Sequence, residues 1–289
     1  MIDLKNVTFI IPLRIDTDDR LRNIILSTSF LLNNFDCKVI VKESDEMKKF
    51  EMWALPTIKS IADTCNLTYQ YEENHDDHFH RTRLLNEMVL DSETDIVVNY
   101  DSDIILPIKS YVTAKEMLDN KEADVVYPYK FGEKGERKVV LNTSIEDVDD
   151  LNSLLKQPIV QEFTTTWKPE VLDQSYGYAL HGNGEGWAEY GMVQFFNKRV
   201  YMDGYLENEN FMAYAPEDVE RHHRWLTLGY KIGRVENYAY HMEHKRTPNS
   251  SYSNPFMMKN NQLWDYLKGL SKDELIKYYQ KQNYVRQKL

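Results

Sequence analysis

The sequence predicts an α/β protein: a Rossmann-like, mostly parallel central sheet with helices on both faces, followed by a helical C-terminal extension. Two observations carry this. Short runs rich in β-branched residues alternate with stretches of helical periodicity through roughly the first 130 residues, the pattern of a doubly wound sheet. The triplet Asp101-Ser102-Asp103 then follows one such run, Asp95–Tyr100, at the strand end where open α/β sheets bind ligands.

Taken in order, Val7–Pro12 reads as a first, central strand. A helix is expected over Asp18–Asn33, where Leu21, Ile24, Ile25, Thr28, Leu31 and Leu32 recur at helical spacing and Asp18 and Asp19 complement the dipole at its start. Cys37–Val41 is a second strand, Met47–Thr64 a helix broken at Pro56, and Leu67–Tyr71 a third strand. Phe79–Leu90 is read as the helix before the acidic strand. The pattern weakens from Gly132 to Tyr176, a polar stretch with one short helical segment at Ile145–Leu155. Tyr176–Trp187, with Gly177, Gly182, Gly184 and Gly186, reads as a binding loop of close backbone approach. Regular structure resumes at Gly191–Phe196, continues in a helix opening near Glu217 and a strand at Tyr230–Val235, and ends in helices over Lys259–Leu267 and Lys272–Gln280.

With 289 residues, 42% hydrophobic and 28% charged, the chain has the composition of a globular protein with a substantial core. No apolar run approaches the ~20 residues of a membrane helix. The N-terminus lacks a basic-then-apolar leader, and Cys37 and Cys65 form no ligand pattern, so a cytoplasmic location is expected. A net charge of −11 argues against general nucleic-acid binding. The stretch from His241 onward is nevertheless net basic, which suits a phosphate-bearing small ligand or an anionic surface, or a solvated helix.

Chemistry concentrates in five segments. Asp101 and Asp103 repel each other unless a cation joins them, and oxygen ligands suit Mg²⁺ or Mn²⁺. Pro12-Leu13-Arg14 ends the first strand on the same sheet edge, and Phe79-His80-Arg81 brings an aromatic face and a cation near it. Ala215-Pro216-Glu217-Asp218 places two carboxylates at the positive end of a helix, and His241-Met242-Glu243-His244 offers two imidazoles for the metal held by Asp103. Each also has a structural reading. Arg14 pairs with Asp16 or Asp18, Phe79 is core, Glu217 and Asp218 complement the helix dipole, and the histidines lie on the surface. His75-Asp76-Asp77-His78 is a rival metal cluster.

Together these segments resemble the galactosyltransferase family of the lactose-synthase type, metal-dependent glycosyltransferases of the A fold. The family's Pro-Phe-Arg is similar to Pro12-Leu13-Arg14, and its Phe-Asn-Arg-Ala-Lys-Leu-Leu-Asn to Phe79-His80-Arg81-Thr82-Arg83-Leu84-Leu85-Asn86. Its Asp-Val-Asp-Leu-Ile-Pro resembles Asp101–Pro107, its Lys-Phe-Gly Lys130-Phe131-Gly132, and its Trp-Gly-Gly-Glu-Asp Tyr214–Asp218. Its Met-x-x-His metal segment falls on His241–His244. The likeness covers Val7–Phe131 and Gly191–Arg246, roughly three-fifths of the chain. The departures are Ala215-Pro216 in place of Gly-Gly, Tyr214 in place of the stacking Trp, a much longer Gly132–Tyr190 stretch, and no membrane anchor.

The resemblance implies transfer of a hexose or N-acetylhexosamine from a UDP-sugar donor to a glycan or other hydroxyl acceptor, with inversion at the anomeric carbon. It implies Mn²⁺ or Mg²⁺ on Asp103, His241 and His244, and donor binding by Pro12, Arg14, Phe79, Arg81, Asp101, Asp103, Lys130 and Gly191. It further implies an acceptor site of Tyr214, Glu217 and Asp218, with Asp218 as catalytic base. Residues 1–246 are then the catalytic domain: 1–131 the nucleotide-sugar half, 132–190 an acceptor-loop insertion and 191–246 the acceptor and metal half. Residues 247–289 are the extension. The rival readings are a non-catalytic carbohydrate-binding or nucleotide-sugar-binding module on the same fold and a glycoside hydrolase using Glu217 and Asp218. Adjacent carboxylates at a helix start are ill placed for the opposed pair a hydrolase needs.

Overall fold

The computed structural model describes residues 1–141, 178–180, 186–242, 244–251 and 253–289. The first strand is longer than its apolar centre suggests. β1 spans Ile2–Leu13 and is buried from Val7 to Leu13 without alternation, because both of its faces are covered. It lies between β2 (Phe35–Asp45) and β4 (Ile96–Tyr100), parallel to both, with Ile10 opposite Ile40 on one side and Asn99 on the other. β3 (Leu67–Glu73) extends the sheet beyond β2. Beyond β4 comes β10 (Val193–Asn197), antiparallel both to β4 and to β6 (Val125–Tyr127), and β11 (Ile232–Arg234) closes that edge parallel to β6. The order β11-β6-β10-β4-β1-β2-β3 is thus mostly parallel, with β10 reversed.

α1 (Asp18–Asn34) joins β1 to β2 and α2 (Leu55–Ile61) joins β2 to β3, progressing one way along the sheet. α3 (Arg81–Asp91) carries the chain back to β4 on the far side of β1. Right-handed crossovers therefore place α3 on the face opposite α1 and α2. The reversal between β1 and β4 opens a crevice at their C-terminal ends, where the sequence places Arg14 and the acidic triplet. Two helices differ from expectation. Phe79 and His80 precede α3 rather than opening it. Pro56 does not end the helical run: a π-turn at Phe50–Ala54 leads directly into α2, whose first turn holds Pro56.

A second sheet starts from the turn that follows β4. β5 (Ile104–Ile105) pairs antiparallel with β12 (Ala239–Met242), which runs parallel to β7 (Gly132–Leu141). β8 (Tyr178–Leu180) and β9 (Gly186–Ala188) pair with β7. The start of the stretch read as irregular is therefore a strand. The helix expected at Ile145–Leu155 lies outside the described residues, as does most of the glycine-rich Tyr176–Trp187 apart from β8 and β9.

α4 (Ile108–Asp119), α5 (Lys198–Asp203) and α6 (Glu217–Leu228) complete the layers. The extension holds α7 (Met257–Leu267), α8 (Lys272–Gln280) and α9 (Asn283–Lys288), the last unanticipated. Its Leu267, Leu275, Tyr279, Tyr284 and Val285 gather around Phe211 in a cluster separate from the main core. Among the described residues, no helix is long and apolar enough to cross a membrane.

Candidate active site

The acidic triplet forms the turn between β4 and β5, and so joins the two sheets. The β5–β12 register sets His241 opposite Ile104, next to Asp103, and the Met242 amide donates to the Asp103 carbonyl at 2.8 Å. α1 pins both strands from beneath: Ser27 donates to the Ser102 carbonyl at 2.7 Å and Asn23 to the Met242 carbonyl at 3.1 Å. In consequence Asp103 Oδ2 lies 3.0 Å from His244 Nε2 and 3.7 Å from His241 Nε2, and one ligand atom from each residue falls within 4.8 Å of the others. Burial alone would raise the Asp103 carboxyl, but the two imidazoles outweigh it and hold the group well below the carboxylate range. One carboxylate and two imidazoles form a mixed oxygen–nitrogen donor set that fits a divalent ion such as Mn²⁺ better than Mg²⁺. At the rival cluster, His75 instead pairs with Glu73 at 2.6 Å, both of them exposed.

Asp101 does not share that group. Its Oδ1 accepts from the Arg81 guanidinium at 2.6 Å. Arg81 also donates to Asn99 at 3.1 Å and lies 3.8 Å from Glu217, bridging the acidic turn and the start of α6. Behind it a buried polar chain runs inward. Asn99 donates to Gln194 at 2.8 Å, Arg221 donates to Gln194 at 3.0 Å and to Glu207 at 2.8 Å. This ties α6 to β4 and β10.

A cavity of about 550 Å³ opens over these groups. Pro12, Arg14, Phe79, Arg81, Asp101, Asp103, Gly191, Tyr214, Glu217, Asp218, His241 and His244 all line it, so the structure brings together every residue expected at the donor, metal and acceptor sites except Lys130. Lys130 turns elsewhere, its ammonium 5.1 Å from the centre of the Tyr238 ring. Arg14 donates to the Asp76 carbonyl at 2.8 Å, and the Phe79 amide donates to Asn249 at 3.0 Å, which fixes the rim. Three non-glycine residues of the lining, Met192, Ala213 and Ala215, have left-handed backbones with φ of 63°, 56° and 52°. That conformation costs roughly 1–2 kcal/mol per residue and collects at functional sites.

Glu217 and Asp218 open α6 at the cavity wall. Burial first, and the neighbouring Asp218 second, push the Glu217 carboxyl up to about 7, and its Oε2 is buried without a hydrogen-bond partner. Burial also raises Asp218, while Arg221 and the Val219 amide, which donates to Oδ1 at 2.8 Å, oppose the rise. Asp218 Oδ2 faces Gly191, where an added Cβ would stand 3.1 Å away.

Sequence reading missed Arg20, Arg246, Met257 and Asn261 in the lining. Arg20 Nη1 lies 3.9 Å from Asp103 Oδ2 while its Nε pairs with Asp16 at 3.1 Å. The signal for it was present: it sits in the first turn of α1, just past the strand end that carries Arg14, and the Thr17 side chain caps its backbone amide. Met257 and Asn261 had no such signal, since they come from the extension.

No known protein family matches the sequence, and no curated protein matches it either. Solved structures do match. S. aureus TarS residues 1–349 in complex with UDP-GlcNAc aligns at TM-score 0.55 and 12% identity over 94% of this chain. A mannosyltransferase, PcManGT from Pyrobaculum calidifontis in complex with GDP-Man and Mn²⁺, aligns at 0.54 and 14% over 92%. A further S. aureus TarS structure aligns at 0.50 and 14% over 96%. This chain spans 69%, 65% and 43% of those three chains, and 60% of another TarS 1–349 structure. At such identities the likeness carries the fold, and the fold is the A fold of glycosyltransferases.

Proposed function

We propose that this chain is a glycosyltransferase that moves a hexose or N-acetylhexosamine from a UDP-sugar to a hydroxyl acceptor, with inversion. The supporting observation is convergence: one cavity holds a three-residue metal donor set, arginines suited to a diphosphate, and a carboxylate pair at a helix start. A divalent ion held by Asp103, His241 and His244 would supply charge stabilisation for the departing diphosphate. Arg14 and Arg20 provide guanidinium donors for phosphate oxygens on the same side. Arg81, already committed to Asp101, acts as the rigid bridge between donor and acceptor halves. Asp218 takes the acceptor hydroxyl proton as that oxygen bonds to the anomeric carbon and the bond to the diphosphate breaks on the opposite face. Glu217 hydrogen-bonds acceptor hydroxyls, and Tyr214 offers an aromatic face to the sugar ring.

The test is nucleotide release. The chain is incubated with Mn²⁺ and a panel of UDP-sugars plus GDP-mannose, with and without simple glycosides as acceptors. Release of UDP from one donor, stimulated by one acceptor class, supports the proposal and names both substrates. Nucleotide binding without release would instead favour a binding module, and neither binding nor release refutes both. Calorimetry with UDP and Mn²⁺ is expected to show no metal-dependent binding in Asp103→Ala; undiminished binding there moves the metal elsewhere.

A further inference from the structure

The loop before Glu217 is held from the C-terminal extension. Asn260 on α7 is 1% exposed; its amide donates to the carbonyls of Met212 at 2.7 Å and Ala215 at 2.9 Å, and its oxygen accepts from the Met212 amide at 3.3 Å. Asn254, also buried, donates to the Tyr214 carbonyl at 3.1 Å. The loop needs such a hold, because Ala213 and Ala215 adopt left-handed backbones that glycine would take without cost. Side-chain amides of the C-terminal extension, Asn260 on α7 and Asn254 just before it, supply that hold. The same helix presents Met257 and the exposed Asn261 to the cavity that Tyr214 also lines. An amide, a thioether and an aromatic ring together match a sugar, whose ring has an apolar face and whose edge carries hydroxyls.

We propose that α7 is the acceptor-reading element of this site: Asn260 is a positioning residue that sets the loop, and Asn261 with Met257 selects among carbohydrate acceptors. The proposal rests on the glycosyltransferase reading above. Two measurements on the full chain test it. Hydrogen exchange on Asn260→Ala is expected to show the Met212 amide exchanging about tenfold faster or more, with β1 and β4 protected as before. In steady state the same variant is expected to raise the KM for a methyl glycoside about tenfold while its affinity for UDP and Mn²⁺ is retained. Asn261→Ala, exposed and therefore tolerant of change, is expected to shift relative kcat/KM at least fivefold across the methyl glycosides of glucose, galactose, N-acetylglucosamine and N-acetylgalactosamine. Unchanged exchange in Asn260→Ala, or an unchanged ranking in Asn261→Ala, in a chain that turns over donor, overturns this proposal alone. A native chain that releases no nucleotide from any donor overturns the reading beneath it, acceptor role included, while faster Met212 exchange would then still separate a held loop from a free one.

Discussion

Replacing Glu217 by Gln is expected to stabilise the protein at alkaline pH and to do little at acid pH. The carboxyl stands at about 7 in the fold against an ordinary 4.5, because it is buried beside Asp218 and its Oε2 has no partner. Between those values the folded chain keeps a proton that the unfolded chain has lost, so raising the pH favours unfolding. At about 1.4 kcal/mol per tenfold, the ionised Glu217 costs ~3 kcal/mol of stability, most of it entering between about pH 5 and pH 8. Glutamine reproduces the protonated form and never incurs that cost. Urea denaturation of both proteins in the presence of a chelator, at pH 5 and pH 8, measures the difference directly. The Gln variant is expected to gain about 2–3 kcal/mol over the native chain on going from the lower to the higher pH. A stability difference that is the same at both pH values, or a variant less stable at pH 8, refutes the assignment of a buried, proton-holding Glu217.

Three further outcomes follow from the same geometry. Asp218→Asn is expected to lower turnover by about 10²–10⁴-fold with UDP affinity retained, read by steady-state kinetics beside calorimetry; wild-type turnover in a folded variant removes Asp218 as the base. Gly191→Ala brings a methyl to 3.1 Å from Asp218 Oδ2 and is expected to lower turnover about tenfold with little change in melting temperature, so an unaffected rate shows that the carboxylate position is not critical. Arg221→Met leaves Glu207 buried and unpaired and is expected to cost about 3–5 kcal/mol in denaturant titration, whereas a loss of less than ~1 kcal/mol means that the pair is dispensable.

The central sheet was legible because β1, α1 and β4 carry strong local patterns: unbroken apolar runs in the strands and regular apolar spacing in the helix. The acidic triplet was legible from its place at a strand end. The second sheet was not, since β7 runs through Glu133, Lys134, Glu136, Arg137 and Lys138 with no alternation, and its strand form comes from pairing with β12. Nothing in the sequence signals that Asp101 pairs with Arg81; which way a carboxylate faces in a tight turn depends on long-range packing. Lys130 matched a motif and yet turns to Tyr238. Asn260 sits in an ordinary polar run, Lys259-Asn260-Asn261, and only the tertiary fold distinguishes one amide from the next.

The pairing of β7 with β8 has a consequence for the connectivity of the chain. Leu141, the last residue of β7, stands opposite Tyr178, the first of β8. Cross-strand partners are about 5 Å apart, so two residues far apart in sequence meet at one point of the sheet. The pairings of β1, of β4 and β5, and of β12, which place Arg14, Asp103 and His241, are all made by residues outside that interval. A two-residue Asn-Gly turn of the hairpin type would therefore bridge Leu141 and Tyr178 directly.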